Sequence, residues 1–412
     1  MTKRGFPRSV VPVSAAFVAL ALVWWAIAVP VLVKYPTNLD VTPRYRGVFT
    51  LFVDPTTAAP LATPREAPLE IDRRVRSLGN ESGSSRVVVE ETIREQAADL
   101  VDTTQTNVYV MDRRTMQNVA DDRAYAFEPS NVVDRSGSYR LNLPFDTSSD
   151  STYPIYKNET AATYEMRATA AAPIINEAGL RLHNFSGSAS EVPLADAYLA
   201  ELDKTVRLPK SMTLDQLKPQ LKALGLDVDA ALAAVAPVIT SEDLARLVQI
   251  AAKPIPLRYV LSFAGTAAVD TKTGAEVDVG ASEWVGAKPV LADVTALRTI
   301  MAHYPNVPEA VAADKALAAL KSAPATKLFA YHYQQTRASV ADIAAEVEAM
   351  RTRMQVVETY VPFSLLGAGA LSLVVGALVY WRRRGPTRDE GAAPPAVTPA
   401  PDREPVSSGS PR

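Results

Sequence analysis

His183, His303 and His332 are the chain's three histidines and the first residues to test for chemistry. They lie far apart, with none of the spacing that brings imidazoles onto one metal. His332 sits between Tyr331 and Tyr333 in an alternating run, where a cross-strand contact is its expected role. Paired carboxylates occur at Glu90-Glu91, Asp121-Asp122 and Asp146/Asp150. Such pairs can exchange protons or hold calcium. No calcium-loop pattern surrounds them, so solvated faces are expected. The sequence has no HExxH, CxxC, GxSxG or phosphate loop. Gly367-Ala368-Gly369-Ala370 lies inside an apolar run and cannot cradle a phosphate. No catalytic residue, cofactor or metal ligand is therefore assigned, and a non-enzymatic protein is expected. Three N-glycosylation sequons, at Asn80, Asn158 and Asn184, read as coincidence in a chain whose Ala and Arg content suggests a bacterial genome of high GC content.

The elements around these residues are more informative. Val10–Val33 and Phe363–Trp381 contain no Asp, Glu, Lys or Arg. At ~1.5 Å per residue each is long enough to cross the ~30 Å core of a bilayer. Lys3, Arg4 and Arg8 precede the first; Arg382, Arg383, Arg384 and Arg388 follow the second. The positive-inside rule places both tails in the cytoplasm and the long middle outside. Ala26-Ile27-Ala28 resembles a signal-peptide cleavage site, but the apolar stretch runs on past it, which favours an uncleaved helix. Tyr360, Phe363, Tyr380 and Trp381 mark the interfaces of the second span. The expected order is a cytoplasmic tail (1–9), a first span (10–33), an extracytoplasmic domain (34–337), a juxtamembrane amphipathic helix (338–361), a second span (362–381) and a disordered cytoplasmic tail (382–412). Net charge is −2, without the basic field that nucleic acid attracts, and there is no cysteine.

The outer domain reads as α+β: β-rich with a helical insert. Strands are expected at Arg44–Val53, Leu69–Leu78, Arg86–Arg94 and Thr106–Met111, with Leu69, Ile71, Arg73 and Val75 on one face. Asp112 and Asp270 end apolar strands and should bond hairpin turns, with Gly274 supplying positive φ. Residues 192–252 form the insert. Thr213 with Gln216 fits a capping box, and Pro219 should kink or divide the helix that follows. Thr240 with Asp243 fits a second cap. Leu214, Leu217, Leu221 and Leu224 form an apolar stripe, either core or a ligand-binding edge. Strands return at Arg258–Val269 and Glu276–Val279, helices over Val290–Leu320, and a last strand at Lys327–Thr336.

Val340, Ile343, Val347, Met350, Met354 and Val357 step in a heptad pattern after a cap at Ser339 and Asp342. Packing on the chain's own domain is favoured over pairing with another chain. Pro362 should kink the helix at the membrane surface. Gly369, Ser372 and Gly376 make a small-residue face, expected to pack on Ala15 and Ala19 of the first span.

Four segments carry a resemblance: Tyr35-Pro36-Thr37-Asn38-Leu39-Asp40 after the first span, Tyr139-Arg140-Leu141-Asn142-Leu143-Pro144-Phe145, Gly179–Phe185, and Val269-Asp270-Thr271-Lys272-Thr273-Gly274. In these the chain resembles an actinobacterial envelope family of largely uncharacterised proteins labelled "porin PorA family". In topology alone it is similar to CD36-type scavenger receptors, which have two terminal helices, a β-rich outer domain and a helical apex that handles lipids. The combined expectation is a two-pass plasma-membrane protein that contacts membrane lipid and binds or transfers a hydrophobic envelope component through its insert. The alternatives are a scaffold for other envelope proteins, or a porin-like subunit. The oligomeric state is open.

Overall fold

The structure is a computed structural model that describes residues 10–383, apart from 55–58, 171, 177–178, 207 and 291–293. The basic residues Lys3, Arg4, Arg8, Arg384 and Arg388, the expected first tail and residues 384–412 of the expected second tail lie outside the described residues; Arg382 and Arg383, expected to begin that tail, end the second helix. The chain divides into two units, residues 1–29 with 356–412 and residues 30–355.

In the first unit, helix α1 (Val10–Val23) continues through a π-helical turn at Trp24–Ala28 and a last turn at Val29–Leu32. The second span enters through another π-helical turn, Val356–Tyr360, just before Pro362. Both helices are long and apolar enough to cross a membrane. They run antiparallel: Gly376 lies against Val10, and Gly369 against Ser14 and Phe17. Pro362 has no N–H to give the carbonyls of Val357 and Glu358. The indole N–H groups of Trp24 and Trp25 donate to these two oxygens instead, each at 2.9 Å. The expected kink is thus a five-residue π turn whose open carbonyls the opposite helix satisfies.

The second unit is built on a 14-stranded antiparallel sheet. Eleven strands form one path: β1 (Arg44–Val53), β2 (Pro60–Ser77), β3 (Arg86–Ala97), β4 (Val101–Asp112), β5 (Tyr125–Phe127), β6 (Thr152–Lys157), β7 (Ala162–Ala168), β8 (Arg181–Pro193), β9 (Ile255–Asp270), β10 (Glu276–Pro289) and β11 (Thr326–Gln335). Their order is β5-β4-β3-β2-β1-β11-β10-β9-β8-β7-β6. The sheet curls until its ends meet. Met111 on β4 bridges Asn118, Asn118 N–H donates to Ser138, and Tyr139 bridges Ile155 on β6. Buried Arg135 reinforces the closure, donating to the Val108 and Tyr125 carbonyls and to Asn158.

Alternation decides which side chains face inward. Along β3, Val87, Val89, Glu91, Ile93 and Ala97 are buried, while Arg86 and Arg94 are exposed. The outer face is charged. Arg44–Asp72, Arg46–Glu70 and Arg76–Glu90 are cross-strand ion pairs at opposed register positions. A membrane barrel has the reverse arrangement, apolar outside, so this barrel is built to face water.

Helix α2 (Asp196–Val206) packs Tyr198 and Leu202 into the apolar cluster of β1, β2 and β9–β11. The rest of the insert, α3 (Leu214–Ala223), α4 (Val228–Val235) and α5 (Ser241–Ala251), joins α6 (Val294–Ala302) and α7 (Pro308–Ser322) in a separate apolar lobe. The Thr213 capping box and the Thr240 cap both form. Pro219 does not divide α3: its missing bond falls near the helix start, opposite Asp215, and the helix runs on to Ala223. Helix α8 (Arg337–Gln355) packs Val340, Ile343, Ala344 and Val347 on the sheet against Leu182 and Val277. Its start is capped by Thr336, not Ser339. Ser339 is buried, and its hydroxyl accepts from Arg44 N–H and the Gln335 side chain.

Candidate functional site

The barrel interior is apolar at both ends and charged between them. One end holds Phe49, Leu51, Tyr259 and Phe329. The other holds Val87, Met111, Leu143 and Phe185. Between them lies a belt of buried ionisable groups. Glu91 is fully buried, and its carboxylate takes Arg73 at 2.6 Å, Tyr109 hydroxyl at 2.7 Å and Asn107 at 3.1 Å. Arg140 stands 3.9 Å away. Burial opposes charge on Glu91, but Arg73 and Arg140 and the Tyr109 hydrogen bond outweigh it and hold the carboxyl down at about 2. Lys157 pairs with Glu283 at 2.8 Å and Glu159 at 3.5 Å, and lies 5.0 Å from the Phe263 ring centre. Burial disfavours its charge, yet these carboxylates raise its pKa.

Glu95 differs from its neighbours. It points inward four residues after Glu91. Among the described residues its carboxylate makes no hydrogen bond or ion pair. Burial raises its pKa, the carboxylates of Glu283 and Glu159 add to this, and Lys157 offsets part, leaving about 7. Glu276 is also raised by burial, against the opposing pull of Arg73 and Arg140.

Three cavities run through this interior. A cavity of about 100 Å³ lies under α8, walled by Met116, Leu141, Ile343, Val347 and Met350. It shares Tyr45, Arg73, Glu276 and Val279 with a central cavity of about 120 Å³ in the belt. The central cavity in turn shares Glu95, Gln105, Tyr198 and Tyr331 with a third, of about 220 Å³, under α2. The order along the lumen is apolar, charged, mixed.

The residues expected from sequence to form sites fall elsewhere. Leu217 and Leu221 are 1% and 2% exposed, buried with Ile300 and Leu320, and Leu214 packs on the same cluster. Leu224 is exposed past the helix end. Leu217 and Leu221 therefore lie in the lobe core with their apolar atoms already covered, and Leu214 is partly covered. Gly369, Ser372 and Gly376 face α1, but Ala15 and Ala19 are exposed, and the contacts are Val10, Ser14 and Phe17. Ser14 and Ser372 hydroxyls share a hydrogen bond. The packing face of the first helix is thus rotated by one residue position, about 100°, from the expected one. Of the seam, Val347 and Met354 are buried, and Val340, Ile343, Met350 and Val357 are half-buried. Glu91, expected on a solvated face, is inside.

The histidines take no part in the belt. His303 Nδ1 lies 3.0 Å from Asp243 in the helical lobe, and His332 is on the outer face. No group of three or more His, Cys, Asp or Glu residues able to hold a metal occurs among the described residues. Both hairpin aspartates bond their turns. Asp270 is fully buried and also meets Arg351 of α8 at 3.0 Å. Gly274, at φ +71°, lies so close to the Leu143 carbonyl that any side chain there would collide with it. Asn158 is buried and donates to the Tyr109 hydroxyl, so its sequon is structural.

The fold defines a class: a protein with two membrane-length helices at its ends and, between them, a water-facing antiparallel barrel with a charged lumen. No curated protein matches the chain. It belongs to the Porin PorA family, whose model matches residues 7–378.

Proposed function

We propose that this chain is a non-enzymatic, two-pass envelope protein that binds an amphiphilic envelope component inside its barrel. Both tails are cytoplasmic in this reading, and the barrel is extracytoplasmic, as the basic residues at Lys3–Arg8 and Arg382–Arg388 suggest. One observation carries the binding site: three cavities with shared walls join an apolar compartment to a buried charged belt. A polar head has partners in the belt, and an alkyl chain has Leu141, Ile343, Val347 and Met350. Each methylene removed from water contributes ~0.8 kcal/mol, so a short buried segment gives useful affinity. The ligand site thus moves from the insert to the lumen, because Leu217 and Leu221 have no free surface to offer.

The test uses full-length protein in nonionic detergent and a fluorescent fatty alcohol, whose head brings no negative charge to the belt. Val279→Phe narrows the wall shared by two cavities and should weaken binding at least fivefold. Leu232→Ser, on the exposed side of the insert, should leave it unchanged. Equal binding by Val279→Phe and wild type removes the lumen from the site. Reporter fusions at residues 5 and 400 should read cytoplasmic, and one at residue 120 should not.

The pore reading has its own support, the end-to-end order of the cavities. It requires a conducting path, and the charged outer face keeps the barrel itself out of lipid. Ion conductance across a planar bilayer containing the purified protein, without fatty-alcohol binding, would favour it. A scaffold acting through the α8 seam is the weakest reading, since Val340, Ile343 and Val347 are engaged by the chain's own sheet.

A further inference from the structure

We propose that the compartment under α2 is a binding site for an organic ammonium ion, with Glu95 as its counter-charge. This names the ligand chemistry at one end of the lumen and rests on the lumen being a ligand chamber.

Charge balance in the belt comes first. Three cations, Arg73, Arg140 and Lys157, face five carboxylates, Glu91, Glu95, Glu159, Glu276 and Glu283. The cations are already committed: Arg73 and Arg140 to Glu91, Lys157 to Glu283 and Glu159. Glu95 is left over. It stands at the wall between the central cavity and the one under α2. At the rim of that outer cavity, Arg65 is paired with Asp99 at 3.1 Å, and Glu201 adds another carboxylate. No uncommitted positive charge lines the compartment to receive an anion, so the missing partner is a cation.

The walls say which kind of cation. Beside Glu95 are the rings of Tyr198 and Tyr331, then Phe49, Leu51, Leu202 and Phe329. A metal ion needs several free oxygen or nitrogen donors around it; here Asp99 is taken by Arg65 and Glu201 by Lys204, and no group of three or more His, Cys, Asp or Glu able to hold a metal occurs among the described residues, which leaves Glu95 among aromatic and aliphatic groups. An alkylammonium is suited by that mixture, its charge on the carboxylate and aromatic faces and its carbon body on apolar walls. The chain already uses the arrangement once. The Lys157 ammonium lies 2.8 Å from Glu283 and 5.0 Å from the Phe263 ring centre. Glu95, Tyr198 and Tyr331 repeat that set without a lysine to fill it.

The experiment compares three ring probes of similar size, benzyltrimethylammonium, benzyl alcohol and benzoate, on full-length protein in nonionic detergent at pH 8 by titration calorimetry. Wild type should bind benzyltrimethylammonium at least tenfold more tightly than benzyl alcohol, and benzoate least. Glu95→Gln keeps the size and removes the charge, so it should fold and should lose the tenfold preference. Tyr331→Leu should weaken the ammonium several-fold more than the alcohol. Equal ammonium binding by Glu95→Gln and wild type overturns the proposal, as does benzoate binding as well as the ammonium. If the alcohol binds and the ammonium has no advantage, the ammonium site alone fails. If none of the probes binds, the chamber reading fails with it.

Discussion

In the helical lobe, Leu217, Leu221, Ile300 and Leu320 are buried among other apolar side chains. In the barrel belt, at the same depth, the buried groups include Glu91 and Lys157. The lobe is stabilised by removing apolar surface from water and filling space. The belt must overcome the desolvation of every charge it holds, and does so only where partners are close. An apolar core would have made a sounder barrel. Glu91 and Arg73 at least compensate each other, and Lys157 has Glu283 and Glu159. Glu95 is not, and stability gives no reason for it. The contrast separates side chains that hold the fold from one that is better explained by a ligand.

The comparison breaks most visibly at Glu91. Glu91→Ala leaves Arg73 and Arg140 buried without a counter-charge and should cost about 4 kcal/mol, read from denaturant midpoints at pH 7. Adding Arg73→Met should recover part of the loss, because it removes one stranded charge. The carboxyl of Glu91 is held below its ordinary value in the folded protein. Its stabilising contribution is therefore present above about pH 4.5 and disappears as the pH falls toward about 2. The gap between wild type and Glu91→Gln should narrow over that window.

In the lobe, Leu221→Ala should cost about 3 kcal/mol through lost burial and a residual cavity. Unlike the Glu91 variant, it should show no pH dependence between pH 3 and 7. Limited proteolysis should cut within residues 213–252 first while the barrel stays intact. Simultaneous loss of both regions would show that they unfold as one unit.

Glu95→Gln should act in the opposite direction. The folded protein raises this carboxyl from 4.5 to about 7, so ionising it destabilises the fold as the pH rises through that range. The variant should be more stable than wild type by up to about 3 kcal/mol at pH 8, and no more stable below pH 4.5. Thermal melts at pH 4 and pH 8 decide it. A stability loss at pH 8 would mean that Glu95 has a partner and belongs with Glu91. The smallest effect is expected outside the barrel: Arg44→Ala removes an exposed ion pair with Asp72 and should change stability by less than about 0.5 kcal/mol.

Much of this was legible along the chain. The two apolar spans, the capping box at Thr213, the cap at Thr240, and the turns at Asp112 and Asp270 depend on neighbours a few residues apart, and sequence reports such interactions directly. Arg73 was assigned the same face as Leu69, Ile71 and Val75, and it lies inside with them. The same parity rule reaches Glu91 and Glu95, since beyond the Val87-Val88-Val89 run Ile93 and Ala97 alternate with polar residues on β3. That signal was overlooked because an adjacent Glu90-Glu91 pair reads as a solvated face. For Ala15 and Ala19, composition identified two packing helices but not their register, which depends on how Ser14 and Ser372 meet across the pair.

What the sequence determined by itself is local and periodic: two membrane-length helices, strand alternation, caps and turns. Tertiary structure decided the rest. Whether the inward face of β3 meets water, lipid or another strand depends on the sheet closing through Asn118, Ser138 and Tyr139, contacts between segments remote from β3 in the chain. Closure makes a charged strand face into a belt and leaves one carboxylate among aromatic rings without a partner, while packing in the separate lobe turns Leu217 and Leu221 toward α6 and α7 and away from solvent. A residue's own type sets its charge; only the folded chain sets the dielectric around it and the groups within reach.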